Sequence, residues 1–105
     1  MHDARIDALA RQLVRYSTAL KKGDKVLIDL HDVPDSIGLA LIRETRARGA
    51  TPILRVHHGR LSREMLMGAD DTQYGIISKH LLAEMKDMDA YIALRGGHNI
   101  AENSD

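Results

Sequence analysis

Three short apolar runs, each ending at a histidine-bearing loop and separated by stretches of helical periodicity, constrain this chain more than any other feature. Lys25-Val26-Leu27-Ile28-Asp29-Leu30 runs into His31-Asp32, and Thr51-Pro52-Ile53-Leu54-Arg55-Val56 runs into His57-His58-Gly59. Ala90-Tyr91-Ile92-Ala93-Leu94-Arg95 runs into Gly96-Gly97-His98-Asn99. Strands alternating with helices imply right-handed crossovers and a parallel sheet. In such a sheet the three loops gather at the carboxyl edge, where open α/β sheets bind their ligands. The pattern predicts strands over 25–30, 53–56 and 90–94, with the first one central.

Between the runs, helix signals are plain. Asp3 is placed to cap a helix whose apolar stripe is Ile6, Leu9, Leu13, Tyr16 and Leu20, ended by the Lys21-Lys22-Gly23-Asp24 turn. Pro34 and Asp35 open a second helix carrying Ile37, Leu41 and Ile42, which stops at Arg48-Gly49. Ser62 is expected to cap a short helix to Met67. Asp70-Asp71-Thr72 opens another, with Ile77, Leu81, Leu82, Met85 and Met88 on its apolar face. Pro52 sits near the start of its strand, one of the few places a sheet accepts proline. The fold class expected is therefore α/β: a three-layer, Rossmann- or flavodoxin-like arrangement with a small parallel sheet of about three strands flanked by helices. Phe and Trp are absent, so Leu, Ile, Val, Met and Ala must fill the core, and Met65, Met67, Met85 and Met88 are assigned to it.

Both faces of a parallel sheet need covering. No apolar stripe follows the third run; the polar stretch Ile100-Ala101-Glu102-Asn103-Ser104-Asp105 reads as the start of a connection. The expectation is one α/β domain over residues 1–105, incomplete as a sheet and forming the amino-terminal portion of a longer two-domain protein, with an exposed apolar area beside the third strand.

Charge and composition exclude several function classes. Fifteen basic and fifteen acidic residues leave no net charge, so the basic excess that marks a nucleic-acid or anionic-membrane partner is missing. With no cysteine there is no disulfide, thiolate metal site or cysteine nucleophile. Asp3, Arg5, Asp7 and Arg11 occupy the place where a signal peptide needs an apolar core, and no run approaches the roughly 20 apolar residues of a spanning helix. A soluble, cytoplasmic protein is expected.

The polar residues at the loops carry the candidate chemistry. The loop after the first strand, His31-Asp32-Val33-Pro34-Asp35, has no glycine to bring backbone amides around a phosphate, so a mononucleotide site fits poorly. Gly96-Gly97 suits a turn. His31, Asp32 and Asp35 form one polar group and His57-His58 a second; imidazole with carboxylate can hold zinc, cobalt or manganese. Adjacent histidines on an extended segment point to opposite sides, so only one of His57 and His58 faces a given site. No pair has the fixed helical spacing of a strong metal motif, and the expectation is no metal ligand in this chain. Asp32 and Asp35 are expected to cap the second helix, and His80 and His2 to lie on the surface. Arg95, ending an apolar strand, calls for an ion-pair partner or a carboxylate ligand. The substrate-cavity candidates are His31, Asp32, Arg95, His98 and Asn99.

Three segments together resemble the amino-terminal domain of the aminopeptidase T family, the thermophilic-type leucyl aminopeptidases that use two metal ions. They are the opening helix Arg5-Ile6-Asp7-Ala8-Leu9-Ala10, the joint Leu20-Lys21-Lys22-Gly23-Asp24-Lys25-Val26-Leu27-Ile28 with the helix end Arg46-Ala47-Arg48-Gly49-Ala50, and the stretch from Met88-Asp89-Ala90-Tyr91 to Asn99. The resemblance spans essentially the whole chain. It implies a parent enzyme that hydrolyses amino-terminal peptide bonds with two divalent ions of zinc or cobalt type, acts on peptides and forms a homodimer. In that family the glutamate, histidine and aspartate ligands lie in the larger carboxyl-terminal domain. None of their motifs occurs here, so the resemblance assigns this chain no catalytic residue and no metal ligand, and the chain alone is expected to be inactive. The competing reading is a self-contained flavodoxin-like module that binds a small ligand or carries a signal. For a phospho-acceptor, Asp29 and Asp32 could supply the acids after the first strand, but Arg95-Gly96-Gly97 stands where an acid is needed after the third.

Overall fold

In the computed structural model, residues 3–96 are described. The chain is an α/β fold: three parallel strands in the order β2-β1-β3 with helices on both faces. In chain order the elements are α1 (Ala4–Arg11), a π-helical segment (Gln12–Ser17), β1 (Lys25–His31), α2 (Asp35–Ala47), β2 (Thr51–His57), α3 (Gly59–Met67), α4 (Asp71–Lys86) and β3 (Ala90–Arg95). The expected strands and the central place of the first one are observed, β1 and β3 each one residue longer than the predicted span and β2 three residues longer. Among the described residues no helix is long and apolar enough to cross a membrane.

The order follows from the alternation along β1. Val26, Ile28 and Leu30 point to one face and join Ala10, Val14, Leu20, Ala40, Leu41 and Ile92 in a single aliphatic core under α1, the π segment and α2. A Cβ on Gly38 of α2 would lie 3.0 Å from Leu30 Cδ1, so glycine here lets helix and strand approach closely. The connection from β1 to β2 moves one way across the sheet and that from β2 to β3 moves back over β1. Right-handed crossovers then place α2 and α4 on opposite faces. The face under α4 carries Leu27, Asp29 and His31 of β1, beside Ile53, Arg55 and His57 of β2 and Tyr91, Ala93 and Arg95 of β3.

Four expectations need correction. The stripe of the first helix shifts: Val14 and Leu20 are fully buried, whereas Tyr16 is 72% exposed and Leu9 40%. The cause is the π segment, in which the Thr18 amide donates to the Leu13 carbonyl five residues back and rotates later side chains relative to an α-helical stripe. That helix therefore ends at Ser17, ahead of the Gly23 turn. Second, Asp32 does not cap α2, whose N-cap is Pro34 with no side-chain bond; Asp35 is already the first helical residue. The Asp32 carboxylate instead accepts from the Gly59 amide at 2.9 Å, capping α3, which thus begins three residues before Ser62. Asp32 takes φ 55°, a left-handed conformation that aspartate tolerates better than most residues.

Third, the methionines are not core filler. Met65, Met67 and Met85 are exposed and Met88 is half-buried; no residue of α3 or α4 is fully buried. Helical periodicity marks a face that suits cover, but it does not name what covers it. Fourth, β3 is not buried on both faces: its residues alternate in exposure, so Arg95 ends the strand in solvent without the desolvation that would demand a partner. The apolar area expected beside the third strand is displaced: the exposed large apolar side chains are mainly those of α3 and α4, Leu54 and Val56 of β2 are exposed on the opposite face of the sheet, and β3 contributes Tyr91.

Candidate functional site

The polar residues meet on a face of the sheet rather than along its edge. Because side chains alternate along a strand, Asp29 and His31 of β1 share one face, and the parallel register sets His31 beside His57 and Asp29 beside Arg55. Tyr91 of β3 reaches across from the other side, its hydroxyl donating to Asp29 Oδ2 at 2.7 Å. Asp29 Oδ1 lies 2.6 Å from His57 Nε2, and Asp29 Oδ2 lies 3.6 Å from His31 Nε2. The two imidazoles stack in parallel, with ring centres 4.2 Å apart and planes 9° from coplanar. Arg55 pairs with Glu84 of α4, tying that helix to the sheet.

A cavity of about 370 Å³ lies between this floor and α4. Its walls include Asp29, His31, Arg55, His57 and Tyr91 below, and Ile76, Ile77, His80 and Leu81 above. The roof residues recur at helical spacing, giving the pocket an apolar lid with one imidazole in it. Hence His80, expected as a plain surface side chain, is exposed and also lines the pocket.

Electrostatics single out Asp29. Burial pushes its carboxyl up. The Tyr91 hydroxyl and the charges of His57 and His31 pull it down and prevail, so it stays ionised below the ordinary aspartate range. Tyr91 is pushed up in turn, first because Asp29 accepts its proton in a hydrogen bond, then by burial and by the nearby carboxylate charge. The Glu84 carboxylate raises Arg55 further still.

The expected residues divide. His31 is in the cluster. Of the adjacent pair, His57 lines the site while His58 occupies the N-cap position of α3 without a side-chain capping bond. Asp32 is engaged at Gly59, and Arg95 is exposed at the strand end, next to His31 in register. His98 and Asn99 lie outside the described residues. Sequence reading names Asp29 only as a phospho-acceptor acid in the competing reading, and does not place Arg55 or Tyr91 in the site. The signal was available: a polar residue at every second position of a strand otherwise apolar, Asp29 with His31 and Arg55 with His57.

Among the described residues, Asp29, His31 and His57 are the group whose ligand atoms, all within 4.8 Å of one another, could hold a metal ion. They do not fit a pair of ions. A two-metal centre needs a bridging group and ligands for both ions; here there is one carboxylate, and its second oxygen is taken by Tyr91. No protein-family model and no curated protein matches the chain.

Proposed function

We propose that this chain is the non-catalytic amino-terminal domain of a metalloaminopeptidase resembling aminopeptidase T, acting in the cytoplasm as a homodimer on peptides. The observation that carries this reading is the apolar surface on α3 and α4. Leu61, Met65, Leu66, Met67, Ile76 and Leu82 are all more than half exposed, the kind of area a domain buries against the remainder of its enzyme. The doubly wound sheet and the resemblance of the opening helix, the Lys22-Gly23-Asp24-Lys25 joint and the Asp89-Ala90-Tyr91 strand support it. The peptide-cleaving centre and its two ions belong, on this reading, to the partner domain.

The test is peptidase activity on leucine p-nitroanilide with cobalt or zinc present. The product of the whole reading frame containing these residues should turn over while residues 1–105 alone do not. Turnover by the 105-residue chain, or a full product lacking any, contradicts the proposal. The cavity beneath α4 favours the second reading, a small-ligand module, for which neither protein would cleave.

A further inference from the structure

The floor of the α4 cavity brings one carboxylate and two imidazoles within 4.8 Å of one another. Asp29 Oδ1 is buried and, among the described residues, receives no hydrogen bond of acceptable geometry, although His57 Nε2 stands 2.6 Å away. His31 Nε2 is at 3.6 Å from the other oxygen, beyond hydrogen-bond reach. Two stacked imidazoles at 4.2 Å repel each other if both carry a proton charge. A single dication between the three groups takes the place of those protons, with both imidazoles neutral and both Nε2 lone pairs directed at the ion.

We propose that Asp29, His31 and His57 bind one transition-metal dication of zinc or cobalt type, through Oδ1 and the two Nε2 atoms, with a coordination position open to the cavity. One carboxylate and two imidazoles are a donor set that zinc, cobalt and ferrous iron all accept. Around a tetrahedral ion with bonds of about 2.0–2.1 Å, donors sit about 3.3 Å apart. Asp29 Oδ1 and His57 Nε2, 2.6 Å apart, are closer than that value, and one ligand atom from each of the three residues lies within 4.8 Å of the others, so side-chain rotations complete the site.

The support is built as metal sites require. Tyr91 holds Oδ2 at 2.7 Å, which orients the carboxylate and leaves Oδ1 for the ion. Both histidines stand on adjacent, paired strands at one register position, a rigid base. Ile76, Ile77 and Leu81 line the cavity on the side of the open position.

The test is titration of the 105-residue chain with cobalt(II), read by its visible absorption, followed by displacement with zinc in a calorimeter. One equivalent should give the intense band of a tetrahedral nitrogen–oxygen site, and zinc should abolish it one for one. His31→Ala and His57→Ala should each weaken binding by at least roughly tenfold, and Tyr91→Phe by roughly tenfold through the freed carboxylate. His58→Ala, outside the cluster, should leave binding unchanged. The wild-type spectrum decides even if a variant fails to fold: absence of the band overturns the proposal. So does equal loss from His58→Ala and His57→Ala, the mark of scattered surface imidazoles. Neither result depends on peptidase activity.

Discussion

Thr45→Val should stabilise the protein. Thr45 is in the last turn of α2, wholly buried, and among the described residues its Oγ1 has no hydrogen-bond partner. Its backbone carbonyl is already used, accepting from Arg48 and Ala50 at 3.1 Å where the helix closes on Gly49 at φ 76°. The side chain can therefore change without disturbing the cap. Burying an unpaired hydroxyl costs about 1–3 kcal/mol on protein scales. Valine keeps the shape and the β-branch, so helix propensity is nearly level. The expected gain is about 1–2 kcal/mol, and each kcal/mol raises Tm by roughly 4–8 °C in a domain this small. Urea and thermal unfolding of wild type, Thr45→Val and Thr45→Ser measure it; the serine variant, which keeps the hydroxyl and loses the methyl, should fall below wild type. A valine variant no more stable than wild type would refute the reasoning, because it would mean the hydroxyl has a partner.

Other consequences are equally direct. Leu20→Ala should cost about 2–5 kcal/mol in urea unfolding and Tyr16→Ala close to nothing, which checks the phase imposed by the π segment. Asp32→Ala should cost about 1 kcal/mol through loss of the Gly59 cap, and Asp32→Asn, which caps almost as well, much less. Asp3 is held below the ordinary aspartate value, mainly by the Arg5 amide it accepts from. A lowered folded pKa means that its contribution to α1 is complete above the unfolded value and lost as pH falls through the folded one. The Arg5 amide resonance should therefore move in acid with a midpoint below that of an unfolded aspartate.

The sheet was legible because three β-rich runs of similar length leave few ways to pair, and alternating helices leave one order. The placement of Asp29 was legible in principle from its two-residue offset to His31. The tie from Tyr91 was not, since it needs the register between β1 and β3, set by pairing distant in sequence. Asp32 illustrates a different limit. A carboxylate just before a helix signals a cap locally, yet the left-handed turn at Asp32 carries it to a helix 27 residues away, at Gly59. The methionines of α3 and α4 failed for a third reason: amphipathicity records a preference for burial, and the surface that satisfies it need not lie in the same segment of chain.

The proposed ion site sits on the sheet face beneath α4, at Asp29, His31 and His57. Long-range proton–nitrogen NMR of the histidine side chains, recorded as zinc is added, tests it most directly. The Nε2 signals of His31 and His57 should shift together and saturate at one equivalent while that of His58 stays in place. Shifts spread evenly over all the histidines, or a response from His58 before His57, would contradict it.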